Sequence, residues 1–416
     1  MKLAAQDVFQ PTTLPERTYV DRKNDKQETF SEILQKALRT KGRLISLAGA
    51  SKSGKTVLCY KSVGADKLVD ISGAQIQSTD DFWLRIAEKL NLPEETTNAS
   101  AKTTSASTEA RLTGNAGIGI ASLGSNLASL ETKTKSDSTT ERSLRSNNSV
   151  MDIMRDCDNV LMIDDFHYIP RETQMYISRV LKTELFKGLK AIIISLPHRA
   201  DEAVNCNPDL IGRTFFLEIT PWRKEELKEI ATKGFDLLNV NILNSYIEYL
   251  ADESTISPQL MQENCLNLAF IAENKPLRVI SKNDIEQAFN ETARNYASIY
   301  KNVVAAISNG PSQGAKRRHS YQLKDSSECE IYPLLLKALA LTPPQVVFST
   351  DEVVRRIRSL LPDSGKQPTR LMIQNSVNQI IKIAGGLQRG MEIIDKREST
   401  IYLLDAFFLF YLRWSG

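Results

Sequence analysis

Short apolar runs alternate with helical patterns over the first half of the chain. Nearly continuous apolar runs indicate buried strands, and apolar residues that recur every three or four positions indicate helices. The predicted strands cover residues 42–48, 68–71, 159–165, 189–195 and 214–219. The predicted helices between them cover residues 30–38, 80–90, 149–157 and 174–186. Apolar strands that alternate with helices are typical of a parallel sheet covered on both faces, so the pattern predicts an α/β fold.

The second half of the chain carries helical patterns and one hairpin. Residues 222–293 are helical throughout, and three further helices are predicted at residues 332–341, 351–361 and 369–384. A small hairpin, predicted from residues 391–394 and 400–404, follows them. Three helices with a two-stranded wing predict a winged-helix module. The aromatic segment at residues 407–414 is expected to be covered by another part of the protein.

Two segments depart from these patterns. Residues 1–15 are predicted to form an extended lead-in. Residues 93–150 are crowded with Ser, Thr, Asn and Gly, and they bury too little apolar surface to fold as an independent globule. A weakly apolar island at residues 118–123 interrupts this insertion. The insertion is either a passive surface loop or an element ordered on assembly, such as a hairpin that pairs with a neighbouring subunit.

Composition restricts the class of protein without identifying a partner. The chain has 416 residues, enough for two or three domains, and a formal net charge of only +3, so any nucleic-acid binding requires a local patch. Its five cysteines are scattered without a C-x-x-C pair, which suggests neither a zinc site nor a disulfide framework. No signal peptide or membrane-spanning run is indicated. We expect a soluble, cytoplasmic protein with no membrane partner.

The most specific motif is Gly49-Ala50-Ser51-Lys52-Ser53-Gly54-Lys55-Thr56, which fits G-x-x-x-x-G-K-[ST] at every fixed position. A predicted strand precedes it, and a helical pattern beginning at Val57 follows. Strand, loop and helix in that order place backbone N–H groups around a polyphosphate. We expect Lys55 to reach the outer phosphates and the Thr56 hydroxyl to bind Mg²⁺. The alternative, a chance glycine-rich turn, is disfavoured by the flanking strand.

Asp164 and Asp165 end the apolar strand at residues 159–165. An acid at the tip of a strand neighbouring the phosphate loop can hold Mg²⁺ through water, and the next acid can orient or deprotonate the attacking water. We therefore predict Asp164 as a metal residue and Asp165 as the catalytic base. The alternative is that the two acids simply cap a helix.

Other polar residues follow these strands and have less specific roles. Ser195 ends the strand after the acidic one, where it would hydrogen-bond the water or the terminal phosphate, or be an ordinary strand-end serine. Arg199 and Arg213 are candidates for an arginine finger that acts on a neighbouring subunit, and the alternative for each is a surface ion pair. His167 and His198 flank the proposed site, and packing or hydrogen bonding is favoured for them over metal binding.

With these residues in place, the chain resembles the AAA+ and STAND branch of P-loop ATPases, especially archaeal-type ATPases that end in a winged helix. The resemblance rests on four stretches: Tyr19-Val20-Asp21-Arg22, residues 49–56, Leu161-Met162-Ile163-Asp164-Asp165-Phe166-His167, and residues 402–414. It implies ATP and Mg²⁺ as cofactors, Val20 and Arg22 near the adenine, and Ser195 as a sensor on the fourth strand. One departure concerns the lid, where Gln259 stands in the place of the arginine that AAA+ families usually offer.

The resemblance and the patterns together predict a P-loop NTPase parallel sheet with a helical lid and a C-terminal winged-helix domain. The predicted parts are a P-loop ATPase core at residues 1–221 with a flexible insertion at 93–150, a helical lid at 222–308, a basic connector at 309–330 and a winged-helix domain at 331–416.

Three functions compete. Relatives of this kind are commonly switch ATPases that oligomerise with ATP, and many act in antiviral defence; we therefore expect a homo-oligomeric ATPase that regulates a separate effector protein. The alternative is a DNA-acting ATPase that binds DNA through its winged helix. That alternative rests on polar and basic residues of the third helix and wing, namely Lys366, Arg370, Gln374, Asn375, Asn378, Lys382, Arg389, Lys396 and Arg397. A metabolic nucleotide kinase is disfavoured, because such enzymes rarely carry a large lid and a winged helix.

Overall fold

The structure is a computed structural model that describes residues 3–50, 52–92, 95–97, 141–143, 147–196, 205–311, 318–387 and 393–415. Several predicted features lie outside the described residues. These are Ser51, the apolar island at residues 118–123, His198, Arg199, Arg389 and the first part of the predicted wing at residues 391–392.

The described strands are, in chain order, β1 (Leu44–Ala48), β2 (Leu68–Ser72), β3 (Glu95–Thr97), β4 (Glu141–Ser143), β5 (Val160–Asp164), β6 (Lys190–Ser195), β7 (Thr214–Glu218), β8 (Tyr321–Gln322), β9 (Glu328–Cys329), β10 (Val347–Ser349), β11 (Ile394–Arg397) and β12 (Thr400–Leu403). Five of them form a parallel sheet in the order β2-β5-β6-β1-β7. The prediction of an α/β fold with a parallel sheet is confirmed.

The described helices are α1 (Ala5–Val8), α2 (Phe30–Arg39), α3 (Lys55–Val63), α4 (Thr79–Lys89), α5 (Asn147–Asp156), α6 (Arg171–Phe186), α7 (Lys224–Leu238), α8 (Asn244–Glu253), α9 (Pro258–Glu273), α10 (Lys282–Asn295), α11 (Ala297–Asn309), α12 (Ile331–Leu339), α13 (Thr350–Leu360), α14 (Arg370–Leu387) and α15 (Ala406–Trp414). Thr29, Ser78 and Ser281 accept a hydrogen bond from the first turn of the helix that each precedes, which explains where these helices begin.

Apolar side chains cover both faces of the parallel sheet. One face packs against α2 and α3 through residues such as Leu34, Leu58 and Ile194. The other face packs against α4, α5 and α6 through residues such as Phe82 and Leu181. Because both faces are buried, the strands carry almost no polar residues in their interiors, and this is why the apolar runs identified them.

The order of the strands differs from one expectation. The acidic strand β5 was expected to neighbour β1, but β6 lies between them. All three strands are apolar along their length, so their sequences contain no signal that distinguishes which pairs with which. As a result Ser195, at the end of β6, sits between the phosphate loop and the acidic strand, in register with Ala48.

The helices after residue 222 and the C-terminal region share one apolar core. This core also includes Phe9 and Val20 from the N-terminal segment. Residues 407–411 of α15 are buried in it, which confirms that the aromatic segment is covered. A buried ion pair between Arg413 and Glu253 of α8 (Nη2–Oε1, 2.6 Å) joins α15 to the helices that follow residue 222.

The C-terminal region contains three helices and a small antiparallel sheet. Its elements occur in the order α12, β10, α13, α14, β11 and β12. The small sheet differs from the predicted wing in two ways. Its first strand is Ile394–Arg397 rather than residues 391–394, and β10 adds a third strand. The segment Asp395-Lys396-Arg397 is polar and β10 covers only three residues, so neither was recognised as a strand.

The N-terminal segment is not the extended lead-in that was predicted. It includes the short helix α1, and Ala5, Val8 and Phe9 are buried against the helices after residue 222. Phe9 packs edge-on against Phe235 of α7, with ring centroids 5.1 Å apart. Gly234 makes this contact possible, because a Cβ atom there would lie 2.1 Å from Cζ of Phe9.

The described part of the predicted connector at 309–330 also contains regular structure. Strands β8 and β9 pair as a short hairpin, and Tyr321 and Leu323 are buried. None of the described helices is long and apolar enough to cross a membrane.

We expect Gly234→Ala to lower the thermal unfolding midpoint. A methyl group would overlap the Phe9 ring, and overpacking of this kind costs about 1–3 kcal/mol, more than the gain of up to about 1 kcal/mol from replacing glycine inside a helix. Gly385→Ala in α14 is the matched control, because nothing lies within 4 Å of its added methyl group. The control should raise the midpoint, and equal increases in both variants would contradict the packing argument.

Candidate functional site

The phosphate loop, residues 49–56, connects β1 to α3 at the carboxyl edge of the sheet. Its backbone is in the left-handed region at Lys52 (φ 58°) and at Gly54 (φ 88°). Glycine adopts this conformation without strain, and Gly54 is the residue from which α3 begins. The loop is held from outside as well, since the Trp222 indole N–H donates a buried hydrogen bond to the carbonyl of Ser53 (2.8 Å).

The side chain of Lys55 folds back against the start of the phosphate loop. Its ammonium group donates hydrogen bonds to the carbonyl oxygens of Gly49 (2.9 Å) and Ala50 (2.7 Å). Burial lowers the pKa of this ammonium group, while the nearby carboxylates of Asp164 and Asp165 act in the opposite direction. A part-buried ammonium group enclosed by the phosphate loop is suited to bind an anion.

Thr56 and Asp164 are joined directly. The Thr56 hydroxyl donates to Oδ2 of Asp164 at 2.6 Å, and the other carboxylate oxygen, Oδ1, accepts the backbone N–H of Asp165 at 2.9 Å. The first turn of α3 and the end of β5 are thereby held together across the intervening strand β6. A hydroxyl and a carboxylate in contact are oxygen ligands of the kind Mg²⁺ prefers.

Asp165 occupies a constrained position immediately after β5. Its backbone is left-handed (φ 55°), and its carbonyl oxygen lies so close to Gly73 that a Cβ atom there would be 2.3 Å away. Burial raises the pKa of the Asp165 carboxyl group, the charge of Asp164 raises it further, and Lys55 lowers it in part. A carboxyl group with a raised pKa is a stronger base than an ordinary aspartate, as a general base requires.

A cavity of about 400 Å³ joins these residues. Ser195 and Ser53 both line it, and each has a buried side-chain hydroxyl without a hydrogen-bond partner among the residues that the structure describes. Buried hydroxyl groups are normally paired, so two unpaired ones beside Lys55 indicate that a polar ligand belongs here. The sheet order explains the position of Ser195, because β6 runs between the strands that carry the loop and the acids.

The opposite wall of the cavity is formed by the N-terminal segment and by α9. Val20 and Arg22 line it, and so do Gln259 and Gln262. Arg22 uses most of its donors on the protein, with hydrogen bonds to the carbonyl oxygen of Thr220 (2.6 Å), to that of Pro221 (3.0 Å) and to Glu226 (3.0 Å). Its Nη1 atom is buried and has no hydrogen-bond partner within the described part of the chain.

The residues present fit a nucleotide with Mg²⁺. The cavity offers an apolar and amide-lined end, an enclosed ammonium group, unpaired hydroxyls and the Thr56–Asp164 pair. Across the residues that the structure describes, no group of three or more His, Cys, Asp or Glu side chains could hold a metal ion by itself. Mg²⁺ is typically held by one or two carboxylates together with phosphates and water, and Asp164 offers one such carboxylate beside Thr56.

The structure places the remaining predicted residues as follows. Lys52, Gly54 and Val57 line the cavity, whereas Ala50 lines an adjoining cleft. His167 also lines that cleft and stacks on Tyr168, with ring centroids 4.2 Å apart. Arg213 is not among the described residues around the cavity; it precedes the edge strand β7, with its guanidinium 5.8 Å from the ring centre of Phe186.

Three residues that shape the site were not predicted from the sequence. Trp222 holds the phosphate loop through a hydrogen bond, and Gly73 leaves room for the Asp165 carbonyl oxygen. Gln262 joins the N-terminal segment to α9 by donating a hydrogen bond to the Thr18 hydroxyl (2.7 Å). None of them belongs to a motif, and each contacts residues far away along the chain. Of the three, only Trp222 could have been singled out from the sequence, because it directly follows Pro221 at the start of the long helical region.

Among solved structures, the chain is similar to Cdc6p from Pyrobaculum aerophilum, with 11% sequence identity, coverage of 98% of this chain and 97% of that one, and a TM-score of 0.43. It is also similar to the RuvB Holliday junction branch migration motor from Thermotoga maritima, with 13% identity, coverage of 71% and 82%, and a TM-score of 0.35. No protein-family model and no curated protein matches the chain. At this level of similarity the activity has to be argued from the site itself.

The carboxyl group of Asp165 should titrate above the ordinary range of an aspartate. Because the charge of Asp164 raises its pKa and that of Lys55 lowers it, Asp164→Asn should lower the pKa and Lys55→Met should raise it. Carboxyl ¹³C NMR of aspartate-labelled protein measures both shifts, with the Asp165 signal assigned by its loss in Asp165→Asn. Shifts of the same sign in the two variants would contradict this account.

Proposed function

We propose that this protein is an Mg²⁺-dependent ATPase that works as a homo-oligomer, with each site completed by a neighbouring subunit. The observation that carries the proposal is the Thr56–Asp164 hydrogen bond beside Asp165 and Lys55, in a cavity that also contains two unpaired hydroxyl groups. The phosphate-loop motif supports a nucleoside triphosphate as the ligand. The resemblance to archaeal-type ATPases supports ATP among these.

The residues have distinct roles in this proposal. Backbone N–H groups of the phosphate loop and the Lys55 ammonium group bind the phosphates, and Thr56 and Asp164 would hold Mg²⁺. The metal would supply positive charge that offsets the negative charge of the phosphates. Asp165 accepts the proton of the attacking water, and its raised pKa suits this task. Ser195, whose hydroxyl is unpaired, orients the water or the terminal phosphate.

The cavity itself supplies little positive charge. The cations that line it among the described residues are Arg22, Lys52 and Lys55. Arg22 is paired with Glu226 and Lys52 with Asp405, so of these three cations Lys55 is the one left to neutralise the phosphates. Phosphoryl transfer is accelerated strongly by an arginine that neutralises charge in the transition state. A further arginine from outside the subunit would meet this need.

The position of Arg213 suits a role at the nucleotide site of a neighbouring subunit, because it is too far from the nucleotide site of its own subunit. It precedes the first residue of β7, which pairs with the first residue of β1, whereas the phosphate loop follows the last residue of β1. Five residues of strand span about 16 Å, which is farther than an arginine side chain reaches. Arg213 therefore belongs to the opposite edge of the sheet from its own loop.

The surroundings of Arg213 support assembly. Phe186, Ile211 and Phe216 are large apolar residues near this edge, and they are 79%, 64% and 49% exposed. Exposed apolar surface of this kind is typical of a protein interface. In a closed ring the surface carrying Arg213 would meet the surface carrying the nucleotide, which is a heterologous contact.

The shared apolar core supports a switch role. The proposed lid at 222–308 and the proposed winged-helix domain at 331–416 bury one continuous cluster, so closure of the lid on ATP would carry the C-terminal region with it. We infer that this movement presents a surface to a separate effector protein. The resemblance to switch ATPases makes antiviral defence the associated setting.

Complementation between two inactive variants tests the proposal. Asp165→Ala removes the base but keeps the finger, and Arg213→Ala removes the finger but keeps the base. Each alone should lose ATP hydrolysis, the second by about 10³-fold or more, while their mixture should recover part of the wild-type rate. Phosphate release measures the rates, and Lys55→Ala defines the background.

The control is Arg179→Ala, which removes an exposed arginine from α6 and should retain the wild-type rate. Failure of the mixture to recover activity, with both variants folded, would exclude Arg213 as a finger in trans. Absence of ATP hydrolysis by the wild-type protein under assembling conditions would overturn the ATPase proposal itself.

DNA binding is the second candidate, and one contact favours it. The Lys396 ammonium group lies 3.4 Å from Oδ1 of Asn378, so the wing and α14 form one polar surface. Exposed Asn375 and Lys382 of α14 extend it. Acidic partners reduce its charge, since Arg370 pairs with Asp351.

A DNA-binding role predicts duplex affinity that falls steeply with salt, because phosphate contacts release counterions. Lys382→Ala and Lys396→Ala should each weaken binding and reduce the salt slope by roughly one. Fluorescence anisotropy with a labelled duplex measures both quantities. Unchanged affinity in both variants would exclude this surface.

A further inference from the structure

Lys52 links the phosphate loop to the far end of the chain. Its ammonium group donates a hydrogen bond to Oδ1 of Asp405 at 3.1 Å and lies 4.4 Å from the centre of the Phe407 ring. Lys52 is the fourth residue of the phosphate-loop motif, and Asp405 is the residue from which the last helix, α15, begins. The contact therefore joins the loop to a segment more than 350 positions later.

Asp405 is itself held rigidly. Its side chain is buried, its Oδ1 atom accepts the backbone N–H of Phe407 (3.0 Å), and its Oδ2 atom accepts the Tyr300 hydroxyl of α11 (2.6 Å). Each carboxylate oxygen thus has a partner within the shared C-terminal core before Lys52 is considered. Lys52 contacts a fixed anion, whereas its own side chain is a flexible chain that is one-third exposed.

The backbone of Lys52 is strained. A residue other than glycine in the left-handed region costs free energy and persists only where its surroundings hold it there. Asp165 and Ile256 are also left-handed, and all three line the cleft of about 620 Å³ between the loop and the C-terminal region. Three left-handed residues therefore lie where the loop meets the segment that carries Asp405.

We propose that Asp405 is a positioning residue for the nucleotide site, which holds the phosphate loop in its ligand-binding conformation by fixing Lys52 in the left-handed region. This proposal rests on the proposed function, because it assumes that the loop binds a nucleotide. Asp405 contributes no ligand to the nucleotide. It acts through Lys52, whose side chain anchors the loop to the C-terminal core.

An alternative role for Lys52, direct binding of a phosphate, predicts the opposite effect of Asp405 on nucleotide affinity. If the ammonium group bound a phosphate directly, Asp405 would compete for it, and removal of the Asp405 charge would strengthen nucleotide binding. If Asp405 positions the loop, the same removal weakens binding, because the strained conformation is no longer supported. Asp405→Asn separates the two, since the asparagine oxygen still accepts the Phe407 N–H and its amide group can donate to the Tyr300 hydroxyl.

Substitutions of Lys52 separate the anchor from the strain. Lys52→Ala removes the anchor and keeps the strained backbone, so ATP and ADP should bind about tenfold more weakly. Lys52→Gly also removes the anchor, but glycine adopts the left-handed conformation freely, so it should bind both nucleotides more tightly than Lys52→Ala does. If the Lys52–Asp405 contact only held two parts of the protein together, Lys52→Gly would not bind nucleotide more tightly than Lys52→Ala.

The experiment measures ATP and ADP affinity by isothermal titration calorimetry on the full chain. Asp405→Asn should weaken binding, but by no more than Lys52→Ala, because its Oδ1 atom can still accept a hydrogen bond from Lys52 without the charge. The double variant should be no weaker than Lys52→Ala, because the anchor is already lost in that variant. Asp395→Asn is the matched control; its carboxylate lines the same cleft but pairs with Arg397 (3.6 Å), and it should bind nucleotide as the wild type does.

The outcomes are distinct. Tighter binding by Asp405→Asn, additive losses in the double variant, or equal affinities of Lys52→Ala and Lys52→Gly would each overturn the positioning role while leaving the ATPase proposal intact. A wild-type protein that binds neither nucleotide would instead overturn the proposed function. Hydrogen exchange adds an independent readout, because coupling is reciprocal. Nucleotide should slow exchange in Ala406–Trp414 of the wild type and do so less in Lys52→Ala.

Discussion

The conformation of the phosphate loop is the constraint on which the rest of the site depends. Gly54 adopts its left-handed conformation freely, but Lys52 does not, so the loop needs support from other parts of the chain. Trp222 supplies it through the Ser53 carbonyl and Asp405 through the Lys52 side chain. The two residues belong to segments that share one apolar core, and the geometry of the loop is thus tied to the packing of the second half of the protein.

The parallel sheet organises the chemistry by placing strand ends together. The loop, the two acids and Ser195 all follow the carboxyl ends of their strands, and the order β5-β6-β1 puts the serine between the other two groups. Arg213 lies at the amino end of β7, on the other edge. Within one subunit the phosphate loop and Arg213 therefore lie at opposite ends of the parallel strands, farther apart than an arginine side chain reaches.

Much of the fold could be predicted because burial leaves a local signature. Strands covered on both faces must be apolar throughout, and helices with one buried face repeat every three or four residues, so most elements were placed within a few positions. The wing was misplaced because Asp395, Lys396 and Arg397 form a half-exposed strand without an apolar run. The N-terminal segment was misread because its few apolar residues, such as Phe9, are buried by helices more than 200 positions away.

The sequence by itself determined the chemistry that was expected of this protein. The phosphate-loop motif and the pair Asp164-Asp165 are local runs whose residue types and spacing serve one kind of ligand, and local runs can be read without knowing the fold. Only the tertiary structure decided which strands are neighbours, which hydroxyls are left unpaired, and that Lys52 meets Asp405. Contacts between residues hundreds of positions apart arise from packing, and the local pattern around either residue contains no trace of the other.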